Sequence, residues 1–134
     1  MDEFATTAQR VDGWDVLTVS GELDAYTGPA LRTAILDLLA HHHALVIDMT
    51  GLGFLDSSGL GILVSALRRI RNVGGELKLV IDSDSIRKLM RLTALDLVFD
   101  ISGTVEDATA TPPPTSTSAS ASASTSTQAS NSDS

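Results

Sequence analysis

The stretch from Gly53 to Arg71, GFLDSSGLGILVSALRRIR, sets one carboxyl and two hydroxyl groups, those of Asp56, Ser57 and Ser58, between a strand-like apolar run and a helix-like one. A side-chain oxygen at such a junction accepts from the free N–H groups of the first helical turn, so one of the three is expected to cap the helix. A hydroxyl there also stands where those N–H groups and the positive helix end stabilise an added phosphate, and phosphorylation is tolerated by the fold. Gly59 and Gly61 leave the first turn uncovered, which admits a partner protein; the same glycines equally suit tight packing against a strand. Nucleophilic catalysis lacks its companions: His41, His42 and His43 are bunched at the end of an earlier helix, and no G-x-S-x-G elbow surrounds Ser57. Three consecutive side chains on a helix diverge and no cysteine joins them, so the histidines read as solvated helix-end residues rather than metal ligands. The segment also lacks the G-K-[ST] that places a lysine on nucleotide phosphates. Arg68, Arg69 and Arg71 complement the negative end of their helix. No catalytic residue, metal or cofactor is expected.

An alternation of strand and helix patterns must position these groups. FATTAQRVDG, from Phe4, and WDVLTVSGEL, from Trp14, are β-rich runs joined by a turn at Asp12-Gly13, which predicts an antiparallel hairpin. Next, TGPALRTAILDLLAHH opens with Thr27 as a candidate cap and Pro29 in the first turn, and sets Leu31, Ile35, Leu38 and Leu39 on one helical face. Ala44 to Thr50 is a short run rich in branched residues, the pattern of a strand buried on both faces. Leu60, Leu63, Val64, Leu67 and Ile70 then recur at helical spacing up to a stop at Gly74-Gly75. Ile62 and Ser65 fall off that stripe, so Ile62 is expected to be exposed beside Gly59 and Gly61, where it would touch a partner. ELKLVID reads as a strand, SDSIRKLMRLTAL as a helix capped near Ser83, LVFDIS as a last strand, and GTVEDATA allows a short terminal helix. The order ββαβαβαβ(α) predicts an α/β domain with a mixed, mostly parallel sheet, right-handed crossovers, helices packed on the sheet and the hairpin as an antiparallel edge.

Composition narrows the classes of function. The 134 residues include no cysteine and carry a formal net charge of −8. Disulfides and thiolate chemistry are excluded, and the chain suits a reducing cytoplasm. Nucleic acid and anionic lipid are poor partners for an acidic surface, whereas a partner with a basic face fits it. No apolar run approaches the roughly 20 residues of a membrane span, and MDEFATTAQR lacks the basic start and apolar stretch of a secretory signal. The expectation is a cytoplasmic protein with no membrane insertion. After Ala108 the composition shifts abruptly to TATPPPTSTSASASASTSTQASNSDS, with no aromatic or large aliphatic residue and Asp133 as its one charge. Such a segment buries too little apolar surface to offset chain entropy. The expected division is a folded domain over 1–108 and a disordered tail over 109–134, opened by the stiff spacer Pro112 to Pro114.

SGELDAYT at Ser20 to Thr27, LVIDMTGLGFLDSSGLGIL at Leu45 to Leu63 and RNVGGELKLV at Arg71 to Val80 together resemble the bacterial anti-sigma factor antagonists, the single-domain STAS proteins. The resemblance spans about Phe4 to Ala108. It implies that Ser57, directly after the Asp of the D-S-[ST]-G motif, is phosphorylated by the anti-sigma factor, itself an ATP-using serine kinase. The unphosphorylated form would bind that kinase and free the sigma factor, the phosphorylated form would let go, and a metal-dependent serine phosphatase would restore it. Asp24 alone reads as a solvated turn residue; the resemblance instead places it, in G-E-L-D, at a strand end close to the phosphoacceptor. A phosphate adds about −1.5 to −2 charge, here beside Asp24 and Asp56, and a coupling of roughly 3 kcal/mol, about a hundredfold in affinity, makes a working switch. The expected partner surface comprises Asp24, Asp56, Ser57, Ser58, Gly59, Gly61 and Ile62. STAS domains offer two rival roles: regulatory subunit of a membrane transport system, or scaffold of a larger signalling assembly with a long N-terminal sensory domain. A serine hydrolase built on Ser57 would require a base within hydrogen-bond reach.

Overall fold

The computed structural model describes residues 3–114. Strands β1 (Ala5–Val11) and β2 (Trp14–Leu23) form the expected antiparallel hairpin. Asp12 and Gly13 take φ of 53° and 88°, as a two-residue turn matched to strand twist requires. β2, β3 (Ala44–Leu55), β4 (Glu76–Val80) and β5 (Asp100–Ser102) then pair in parallel, giving the sheet order β1-β2-β3-β4-β5. Each parallel step is bridged by one helix: α1 (Gly28–Leu39), α2 (Ser57–Asn72) and α3 (Asp84–Leu92). Crossovers of one hand lay all three on the same face.

Side-chain alternation along the strands divides the interior in two. Leu17, Ile47 and Leu79 meet Leu31 of α1, Leu63 and Ile70 of α2 and Met90 of α3 in the main core. Trp14, Val16, Val46 and Val80 face the other way and pack with Ala108 of the short helix α4 (Val105–Ala108). No helix among the described residues is long and apolar enough to cross a membrane.

Three boundaries differ from the sequence reading. β3 continues past Thr50 to Leu55, because Ser20 to Leu23 of β2 supply its hydrogen bonds through two register shifts; the Gly-rich composition of that stretch hides a pairing set by its neighbour. The last strand is shorter than LVFDIS: Ala94, at φ 60°, ends α3, Leu95–Leu97 form a 3-10 turn, and only Asp100–Ser102 pair. The third difference is the domain edge. Thr109 is buried, Trp14 Nε1 donates to the Thr111 carbonyl at 2.9 Å, and Lys78 Nζ donates to the Ala108 carbonyl at 3.1 Å and to Thr111 Oγ1 at 2.6 Å. A buried indole N–H and a buried ammonium require acceptors, and residues 109–114 provide them, so packing extends beyond Ala108. The remainder of the expected tail, 115–134, lies outside the described residues.

Candidate functional site

β2 and β3 end side by side. Leu23 and Leu55 are register partners, and the Asp56 N–H donates to the Leu23 carbonyl at 3.2 Å. The next residue on each strand is an aspartate, so Asp24 and Asp56, distant in sequence, open onto one ledge, their strands about 4.8 Å apart. Asp56 has extended backbone, and its Oδ1 accepts from the N–H groups of Ser58 at 2.9 Å and Gly59 at 3.2 Å. Asp56 is therefore the cap of α2, which leaves the serines free of that duty. Ser57 and Ser58 are exposed, and among the described residues neither hydroxyl hydrogen-bonds to protein.

Asp24 organises the loop ahead of α1. Its Oδ1 accepts from the N–H groups of Tyr26 at 2.9 Å and Thr27 at 3.0 Å. The Thr27 hydroxyl accepts from the Asp24 N–H at 3.0 Å and donates to the Glu22 carbonyl at 2.7 Å. Thr27 consequently makes no side-chain cap bond to α1, contrary to expectation, because its hydroxyl is engaged behind the helix. The Thr27 N–H, opposed by partial desolvation and helped by the Tyr26 N–H, holds the Asp24 carboxyl below the usual aspartate range. The ledge is thus anionic at neutral pH, and among the described residues neither Asp24 nor Asp56 has a cationic partner within 4.0 Å.

The two glycines divide the roles that the sequence left open. A Cβ on Gly59 would lie 2.6 Å from Leu55 Cδ1 and 2.7 Å from Leu23 Cγ, so this buried glycine draws α2 onto the strand ends. Gly61 is exposed with open space around it. Ile62 is half-buried, against the expectation of exposure: α1 packs over it, with Ile62 Cδ1 2.5 Å from where a Cβ on Gly28 would stand. Two aromatic residues that the sequence reading passed over border the ledge, Tyr26 at 93% and Phe54 at 47% exposure. Strand alternation is the signal for Phe54, since the neighbouring Leu55 points inward.

The histidines are not all simply solvated. His42 Nδ1 lies 3.0 Å from Oδ2 of the buried Asp15, which also pairs with Arg10 at 3.1 Å. This cluster stands where β2 begins, at the opposite end of the strands from Ser57. Among the described residues no group of three His, Cys, Asp or Glu side chains is arranged to hold a metal ion.

A family model described as the STAS domain matches residues 5–108. The chain belongs to the STAS domain family. It is 32% identical to the anti-sigma-B factor antagonist of Bacillus subtilis, over 67% of this chain and 83% of that protein. Against the anti-sigma-F factor antagonist RsfB of Mycobacterium tuberculosis the identity is 36%, over 80% and 88% of the two chains. The crystal structure of an anti-sigma factor antagonist from Mycobacterium paratuberculosis superposes on this STAS domain with a TM-score of 0.72 at 35% identity, over 79% of this chain and 91% of that one. The five-stranded mixed sheet with its helices is therefore a STAS fold.

Proposed function

We propose that this STAS protein is a cytoplasmic anti-sigma factor antagonist of a partner-switching pathway, that Ser57 is its phosphoacceptor, and that it is itself no enzyme. The observation that carries the reading is the free, exposed Ser57 hydroxyl on the first turn of α2, on a ledge shared by the carboxylates of Asp24 and Asp56. The names of its relatives supply the partner class, an anti-sigma factor, and the sequence resemblance makes that factor an ATP-using serine kinase. In the switching step Ser57 Oγ attacks the γ-phosphorus of ATP, the bond to the β,γ-bridging oxygen breaks, ADP leaves and the hydroxyl proton is released. The added dianion stands beside two carboxylates that lack cationic partners among the described residues, and at a contact surface its charge, bulk and hydration all oppose the partner. Release then needs no rearrangement of the fold. Hydrolysis of the phosphoserine by a metal-dependent serine phosphatase resets the switch. The hydrogen bonds of Asp56 in the cap and of Asp24 in its loop do not involve the Ser57 hydroxyl.

The test is mass spectrometry of the full chain and of Ser57→Ala and Ser58→Ala after incubation with ATP and candidate anti-sigma kinases from the same genome. One phosphate on wild type and on Ser58→Ala, with none on Ser57→Ala, is the expected result. A phosphate that survives Ser57→Ala and vanishes in Ser58→Ala moves the switch to Ser58. No phosphate with any kinase, together with binding to a membrane transport component, overturns the reading in favour of a transport regulator.

A further inference from the structure

We infer that the trough between α1 and α2 is a second docking element for the same kinase, taking an acidic segment of the partner with apolar residues between its carboxylates; the inference rests on the partner-switching reading above. The two helices start at the Ser57 end of the sheet and run side by side. Between them opens a cavity of about 380 Å³, walled by Arg32 and Leu36 of α1 and by Ser58, Gly61, Ile62 and Arg69 of α2. A second hollow of about 370 Å³ shares Leu36 and Arg69 and continues to Val73. The trough therefore begins one residue from the phosphoacceptor and follows α2 to its end, 16 residues or about 24 Å.

Its charges indicate the occupant. Arg32 and Arg69 are exposed, and among the described residues no carboxylate lies within 4.0 Å of either. Arg32 is the fifth residue of α1, beyond its first turn and short of its last, so the helix dipole gives its charge no support, whereas Arg69 lies in the last turn of α2. In a chain of net charge −8, two guanidinium groups without a carboxylate partner among the described residues, facing each other over a mixed floor of Leu36, Ile62 and the hydroxyls of Ser58 and Ser65, complement carboxylates supplied from outside. A kinase positioned over Ser57 necessarily spreads beyond that residue, and the trough is the concave surface next to it. The ledge then carries the switch, and the trough adds affinity and partner choice that phosphorylation does not address.

The experiment uses the kinase identified by Ser57 phosphorylation. Its affinity is measured for the unphosphorylated full chain, for Arg32→Glu/Arg69→Glu, and for Arg91→Glu in the last turn of α3, outside the trough. The double substitution is expected to weaken binding about tenfold or more and to flatten the salt dependence, while Arg91→Glu stays within about twofold. Lysine substitution of an acidic residue in the kinase is expected to restore the doubly substituted chain. If that chain melts early, Arg32→Gln/Arg69→Gln carries the same comparison. Wild-type affinity in the doubly substituted chain, with Ser57 still phosphorylated, overturns the trough inference and leaves the switch intact. Conversion of a dimer to a monomer at unchanged kinase affinity assigns the trough to a second copy and likewise overturns it. Absence of any kinase that modifies Ser57 removes both readings.

Discussion

At the scale of single residues, the D-S-S junction gives the capping duty to the carboxylate and leaves both hydroxyls outside it. Asp56 holds: its Oδ1 takes two N–H groups of the first turn of α2. Asp56→Ala is expected to cost about 1 kcal/mol of stability, while Ser57→Ala, whose hydroxyl has no protein partner among the described residues, is expected to stay within about 0.5 kcal/mol; urea unfolding of both variants checks this. Asp24 has a pH signature. Its carboxyl is held below the ordinary range, chiefly by the Thr27 N–H, so its ionised form is favoured in the folded state. Its contribution is therefore complete above the unfolded value and is lost as pH falls below about 4 through the depressed folded value. The stability difference between wild type and Asp24→Asn is expected to be constant near neutrality and to shrink below about pH 4. A difference that widens on acidification would contradict the assigned hydrogen bonds.

At the scale of elements, the ledge exists because β2 and β3 end in register and α2 is pulled against their last residues. Gly59 permits that approach, with Leu23 and Leu55 under 3 Å from a Cβ built there. Gly59→Ala is expected to destabilise by about 1–3 kcal/mol through overpacking. Gly61→Ala meets open space and is expected to stabilise by about 0.5–1 kcal/mol, since alanine removes the entropy cost of a mid-helix glycine. Thermal melts of the two variants should therefore move in opposite directions. In the sequence these glycines looked interchangeable, because the strand ends that distinguish them lie elsewhere in the chain. Ile62 is less exposed than its helical position predicts for a related reason: helical spacing describes one helix, and the cover over Ile62 comes from α1 through Gly28.

At the scale of the whole molecule, the second face of the sheet is closed from the C-terminal side. Lys78 is buried and held by the Ala108 carbonyl, Thr111 Oγ1 and the Trp14 ring at 5.0 Å, with Asp100 at 3.9 Å. Residues 109–114 thus complete the packing of Trp14 rather than merely leaving the domain. A chain ending at Pro114 keeps these contacts and one ending at Ala108 loses the Thr111 acceptors of both Trp14 and Lys78. The shorter chain is expected to be less stable by about 1–3 kcal/mol, the cost of orphaning the Trp14 indole N–H while Lys78 keeps the Ala108 carbonyl, with intrinsic Trp14 fluorescence as the readout.

Alternating apolar patterns, turn residues and caps determined the αβ order, the hairpin, the parallel sheet and the D-S-S junction from the sequence alone, because these depend on residues a few positions apart. Ser57 was legible for the same reason, as a hydroxyl on the first turn of a helix. What only the tertiary structure decided are relations between distant segments: Asp24 beside Asp56, the extension of β3, the partial cover of Ile62, the pairing of His42 with Asp15 and the docking of 109–114 on Trp14. Each depends on which neighbour satisfies a hydrogen bond or fills a space, and no local pattern carries that information.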